Sequence, residues 1–403
     1  MFKKLLSLCI VVVMIASLCS AMTSCSTDDG VFRLGVILLH DEDSTYDLNF
    51  IEAVNKAATA LGLTEDQVIM KRDIDESNEC YEAAADLVDE GCDVIFANSF
   101  GHETYLLKAA EDFPKVQFCH ATGTMAHTAG LDNFHNAFAS IYEGRYLAGV
   151  AAGLKLNEMI DDGKITAEQA KMGYVGAFTY AEVISGYTSF YLGAKSVCPS
   201  VTMEVQFTGS WYHEVEEKNA ATALINNGCV LISQHADSMG APSVCQEKKI
   251  PNISYNGSTV NSCPDTFIVS SKIDWTPYFK YICESVQNGT EIKTDWTGTL
   301  ESGSVALSEV NTQAAAEGTQ AYLDDVKAKL ISGEIKVFDT ANFKVNGETL
   351  TSYMADVNTD KNFEKDTEAI SNGYFHESEY RSAPYFDIQI DGIKLLNTAF
   401  GED

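Results

Sequence analysis

The sequence predicts an α/β protein made of two similar lobes, each a parallel sheet covered by helices, and three observations carry that prediction. Short apolar runs fit for buried strands alternate with runs of helical spacing. The alternation restarts at Lys171 in the same order as its first passage. The chain has 403 residues, room for two to three domains at roughly 100 to 200 each, and 45% apolar composition supplies their cores.

Residues 1–24 read as an export signal: Lys3 and Lys4 precede an apolar run from Leu5 to Leu18, with no acid before Asp28. The run is too short to span a membrane comfortably. It ends in Ala21-Met22-Thr23-Ser24-Cys25, which resembles the bacterial lipobox, whose cysteine is diacylated and becomes the first mature residue. Cys19 is a poorer acceptor because bulky Leu18 precedes it, and an ordinary cleaved signal peptide is the plain alternative. Residues 25–31 form a polar tether.

The first lobe is expected over 32–150. A strand at 32–39 leads through a polar loop into a helix marked by Phe50, Val54, Ala57, Ala58 and Leu61. Strands at 68–71, 91–97 and 116–119 then alternate with helices at 81–88 and 105–110, and 141–156, rich in Ala and Gly, is the helix that carries the chain across. The second lobe is expected over 151–310. There 172–178 answers 33–39, the helix 182–196 answers 49–61, and Cys229-Val230-Leu231-Ile232 answers Cys92-Asp93-Val94-Ile95. Residues 311–340 supply a closing helix (314–330) and strand (333–338). The extension 341–403 has no assigned role; alternation before Gly347 and before Asp391-Gly392 suggests two hairpins.

With 58 acidic against 27 basic residues the net charge is −31, which argues against a nucleic-acid partner. Loss of 1–24 removes two lysines and no acid, giving −33, so acyl chains on Cys25 rather than charge would hold the protein to a membrane. Of eleven cysteines, eight lie in the body, without CxxC or Cys/His clustering, so a zinc site is not expected. Cys92 and Cys229 open apolar runs and read as buried free thiols; the disulfide state is otherwise open.

Open parallel sheets bind ligands beyond the carboxyl ends of their strands, which puts the site in the cleft between lobes. Tyr46, Phe100, Trp211 and Tyr255 follow predicted strands. Each alone could cap a core; together they suggest a platform for a flat ligand. Asp47, Gln234, His235, Asp237, Ser238 and Asn256 could read ring edges and hydroxyls, and His120, like His235, comes just after a predicted strand. No GxSxG, HExxH or P-loop occurs. The spacing Asp41, Asp43, Thr45, Asp47, Asn49, Glu52 imitates a calcium loop, but Tyr46 stands where glycine is required and a strand precedes it. No metal and no cofactor is therefore expected. The alternative function is a secreted metal-dependent nucleoside hydrolase using Asp41, Asp43 and Asp47, although the double-aspartate arrangement which that chemistry favours is absent.

The stretches Asp43-Ser44-Thr45-Tyr46-Asp47, His120-Ala121-Thr122-Gly123, Gly209-Ser210-Trp211-Tyr212, Gln234-His235-Ala236-Asp237-Ser238, Ser254-Tyr255-Asn256 and Asp274-Trp275-Thr276-Pro277-Tyr278-Phe279 resemble the basic-membrane-protein family of substrate-binding lipoproteins. The most specific stretch is Tyr142-Glu143-Gly144-Arg145-Tyr146-Leu147-Ala148-Gly149. The resemblance implies two Rossmann-like lobes in a type I periplasmic-binding-protein fold that closes on its ligand. It implies a non-enzymatic, monomeric component of an ABC importer, lipid-anchored on the extracytoplasmic face of a bacterial cell membrane, that delivers a purine nucleoside or base to an ABC permease. It would have Trp211 and Tyr46 sandwich the ring, with Asp237, Ser238 and Asn256 at the base edge or ribose. The chain departs from nucleoside receptors of the family, which carry Phe and Asn where Tyr46 and Asp47 stand; of their ribose-binding Asp and Lys only Lys272 is a loose candidate. The Trp-bearing pattern resembles more closely a branch of the family that binds purine bases, so base against nucleoside stays open.

Overall fold

Leu34–Ile37 (β1) is buried at every position, as a central parallel strand must be when both faces are covered. The computed structural model describes residues 30–357 and 364–400. The signal segment and Cys25 lie outside the described residues. After β1, Ser44 caps Thr45–Leu61 (α1), its hydroxyl accepting from the Asp47 N–H at 3.2 Å, and Gly62 closes the helix in the left-handed region at φ 69°. Val68–Lys71 (β2), Asn78–Asp89 (α2), Val94–Ala97 (β3), Glu103–Asp112 (α3), Gln117–Ala121 (β4), Ala126–Ala129 (α4) and Phe134–Ala139 (β5) follow. Ile141–Asp161 (α5) then leaves this layer.

The second unit runs Lys171–Gly176 (β6), Ala181–Val197 (α6), Thr202–Phe207 (β7), Glu214–Asn226 (α7), Leu231–Gln234 (β8), Gly240–Lys248 (α8), Asn252–Tyr255 (β9) and Phe267–Ile273 (β10). Thr276–Asn288 (α9), Asp295–Gly298 (β11), Val305–Leu307 (β12) and Thr319–Ile331 (α10) complete the lobes. The first sheet has the order β2-β1-β3-β4-β5-β11 and is parallel throughout. The order in the second is β7-β6-β8-β9-β10-β12, parallel except for β12 against β10.

The boundaries 32–150 and 151–310 differ from this arrangement. Helix α5 packs on α6 in the second lobe, while α9 and β11 return to the first, α9 against α1 and β11 beside β5. Three crossings therefore join the lobes: at Ser140, at Asp274 and Trp275, and over 299–304.

The tail adds the short antiparallel pairs Met354–Ala355 (β13) with Thr367–Glu368 (β14) and Ile370–Ser371 (β15) with Tyr374–Phe375 (β16), and then Ile393–Leu395 (β17), which lies parallel to β7. The expected strand 333–338 is a run of turns, because Val337 and Phe338 turn inward onto the tail's aromatic core, where Phe338 stacks on Phe386 at 4.2 Å. The hairpin before Gly347 exists in minimal form as a Val345–Glu348 bridge. The one before Asp391-Gly392 does not form; 385–390 is irregular and the strand comes after the turn. All eight body cysteines are free and buried, including Cys92 and Cys229.

Candidate functional site

In each sheet the second strand lies to one side of the first and the third to the other, so the loops leaving β1 and β3, and those leaving β6 and β8, diverge at a gap. The two gaps face each other. The cleft between them has an empty volume of about 390 Å³. Leu39, His40, Tyr46, Asp47, Ser99, Phe100 and Thr122 line it from the first lobe; Glu182, Trp211, His235, Asp237 and Tyr255 line it from the second. The lobes touch along its rim: Thr45 donates from N and Oγ1 to the Asp237 carbonyl at 3.2 and 3.0 Å, Phe100 meets Tyr180 at 5.6 Å between ring centroids, and His40 meets Tyr212 at 5.5 Å.

Polar groups in the first lobe are organised by Asn98, a buried residue just past β3. Its Nδ2 donates to Asp47 Oδ1 at 2.7 Å, its Oδ1 accepts from the Leu39 N–H at 3.1 Å and its carbonyl from the Tyr46 hydroxyl at 2.6 Å. Burial pushes the Asp47 carboxyl above its ordinary range. Asp47 Oδ2 has no partner among the described residues.

In the second lobe Arg145, buried on α5, anchors the wall. It donates from Nη1 to the Gln234 carbonyl at 2.9 Å and from Nη2 to His235 Nδ1 at 3.0 Å, with its guanidinium 3.3 Å from the centre of the Tyr255 ring. Burial lowers the pKa of His235, and its Nε2 lies 3.4 Å from Glu182 Oε1. Asp237 is held well above the usual carboxylate range by burial first, then by Glu217, Asp47 and Glu182. The Tyr255 hydroxyl is buried without a partner among the described residues.

Tyr46, Asp47, Phe100, Trp211, His235, Asp237 and Tyr255, all expected from the sequence, thus meet at one cleft. Four others do not line it. Gln234 directs its side-chain Nε2 to the Ala236 and Ser238 carbonyls at 3.0 and 3.2 Å. His120 lies within β4, which runs two residues beyond the expected end; its Nε2 is 2.7 Å from the Ser99 carbonyl beneath the surface. The Ser238 hydroxyl accepts from the Gly240 N–H at 3.0 Å, serving α8. Asn256 stands behind Asp237, donating to Oδ1 at 3.4 Å. Asp41 and Asp43 bond to each other on the exposed loop, outside the cleft. Among the described residues no group of three or more His, Cys, Asp or Glu side chains is placed to hold a metal ion. Glu182, Arg145 and Asn98 are absent from the expected contact set. Glu182 had a signal: it opens the helix that the internal repeat matches to α1, the helix bearing Asp47.

Residues 35–341 match the family described as ABC transporter substrate-binding protein PnrA-like, Bmp. The chain belongs to the Bmp family. It is 31% identical over 249 residues to a purine-binding protein of Brucella abortus, covering 62% of this chain and 66% of that one. Identity is also 31% over 242 residues with a Haloferax volcanii protein named as an ABC transporter glucose-binding protein, covering 58% of each. The chain thus spans less than two thirds of the length of either relative. In fold it is similar to solute-binding proteins of ABC transporter systems from Conexibacter woesei (TM-score 0.62, 19% identity, 76% and 98% covered) and Aeropyrum pernix (0.63, 18%, 76% and 93%). Bmp proteins are substrate-binding proteins rather than enzymes, which removes the nucleoside-hydrolase alternative.

Proposed function

We propose that this Bmp protein captures a purine, as base or nucleoside, between its lobes and delivers it to an ABC permease from a lipid anchor at Cys25. One observation carries the ligand class: aromatic faces (Tyr46, Phe100, Trp211) and carboxylates (Asp47, Glu182, Asp237) converge on the same cleft. Ring faces stack on aromatics and exclude water, while carboxylates accept from the N–H and O–H edges of a flat, donor-bearing ligand. The unpartnered Asp47 Oδ2 and Tyr255 hydroxyl supply further contacts for such a ligand. The name of the Brucella abortus relative points the same way.

A thermal-shift screen of purine bases, nucleosides, sugars and amino acids tests the ligand. Purines are expected to raise Tm, because a ligand that bridges both lobes stabilises the closed folded state. Stabilisation by sugars alone, in keeping with the Haloferax volcanii relative's name, would sink the reading. For the anchor, Cys25→Ala is expected to move the protein from the membrane fraction to the soluble one.

A further inference from the structure

The C-terminal extension contributes to this site. A compartment with an empty volume of about 590 Å³ adjoins the cleft, and the two share Phe100, Thr122, Glu182 and Trp211. Its far wall is Arg381, Ala383 and Pro384, which lie beyond the family-matched span 35–341.

That wall is tied to both lobes. Ser382 donates its N–H to Asp295 Oδ2 on β11 at 2.7 Å, and its hydroxyl bonds the other oxygen. Glu377 accepts from the N–H groups of Tyr385 and Phe386 at 2.9 and 2.7 Å, fixing the turn that follows. Further on, β17 joins the second sheet, and the Thr179 N–H donates to the Ala399 carbonyl at 2.6 Å.

We infer that residues 381–384 complete a second subsite, and that it takes a neutral, hydroxyl-bearing substituent on the bound ring, the pentose of a nucleoside. The inference rests on the purine reading of the cleft. Arg381 uses Nε toward the Ala383 carbonyl at 3.4 Å and Nη1 toward the Asp356 carbonyl at 3.2 Å; its other N–H groups have no hydrogen-bond partner among the described residues. It can therefore donate to hydroxyl oxygens, and Glu182 can accept from hydroxyls on the other side. Trp211 and Tyr180 add apolar ring surface to the lining, suited to the apolar face of a sugar. A phosphate is disfavoured because one guanidinium must answer Glu182, with Asp47 and Asp237 close behind.

Calorimetric titration of the intact chain with adenine, adenosine and AMP tests this. Adenosine is expected to bind about tenfold or more tighter than adenine, and AMP more weakly than adenosine. Arg381→Gln removes charge from one wall, and Thr124→Phe fills the compartment, which Thr124 also lines; each is expected to cut the adenosine-to-adenine affinity ratio by about tenfold. If Arg381→Gln fails to fold, Thr124→Phe reads the same compartment. Equal affinity for adenine and adenosine, or a ratio that neither variant moves, overturns the subsite while the cleft reading stands. AMP binding as tightly as adenosine overturns the neutral substituent. Absence of binding by any of the three overturns both.

Discussion

Arg145 Nη2 donates to His235 Nδ1 at 3.0 Å, and this bond sets the tautomer of the imidazole. Guanidinium can only donate, so Nδ1 accepts and the proton sits on Nε2, 3.4 Å from Glu182 Oε1. A cation buried behind the wall thereby orients a carboxylate in the cleft through a neutral histidine.

Lysine cannot bond Gln234, bond His235 and cover the Tyr255 face at once. Arg145→Lys is expected to weaken adenosine binding about tenfold or more and to lower Tm, read by calorimetry and thermal melts. Unchanged affinity would mean that the relay does not set Glu182.

Glu182→Gln keeps the shape of the side chain and removes one of three neighbouring carboxylates. Affinity for adenosine is expected to fall about tenfold or more, while Tm at neutral pH holds or rises because Asp237 loses a repelling neighbour. A lower Tm with affinity intact would assign Glu182 to stability alone.

Trp211 meets Phe178 edge-on at 5.0 Å and so presents a fixed ring to the cleft. Trp211→Ala is expected to remove about 1–3 kcal/mol of stacking, roughly tenfold to a hundredfold in Kd, and Trp211→Phe much less. Equal losses in the two variants would contradict stacking.

Glu143 ties α5 to the third crossing, accepting from the Leu300 N–H at 3.5 Å, and burial raises its pKa from 4.5 to about 7. A carboxyl whose pKa is raised on folding makes the protein less stable as pH climbs from its unfolded value through its folded one. Wild type is therefore expected to lose stability relative to Glu143→Gln between pH 4.5 and about 7. The difference is on the order of 1 kcal/mol at this half-buried site, and none remains near pH 4. Parallel urea titrations with pH would show it; curves of the same shape would contradict it.

Gly149 on α5 and Gly193 on α6 meet reciprocally: a Cβ on Gly149 would strike the Phe190 carbonyl, and one on Gly193 the Tyr146 carbonyl. Backbone cannot yield as a side chain does. Gly149→Ala is expected to cost about 1–3 kcal/mol by overpacking despite its better helix propensity, read as a lower urea midpoint. A gain in stability would show that the helices can separate.

The alternation of buried strands with amphipathic helices is a property of neighbouring residues, and the sequence by itself determined the two repeated units, the cleft at their strand ends and most of its aromatics. His120 was misread for a local reason, since β4 runs two residues further than its apolar core suggests. Tertiary structure alone decided which sheet each later strand joins. Residues 295–298 are as strand-like as their neighbours, yet they pair with β5 because the chain crosses back at Asp274 and Trp275. The same holds for the stretch 142–149, conspicuous in sequence but explained only by contacts with distant residues: Arg145 meets His235 ninety positions away, and Gly149 meets the backbone of α6. The extension shows the limit most clearly. Its irregular backbone is held by side-chain hydrogen bonds and an aromatic core rather than by periodic ladders, so its place beside the cleft follows from long-range packing that no local pattern encodes.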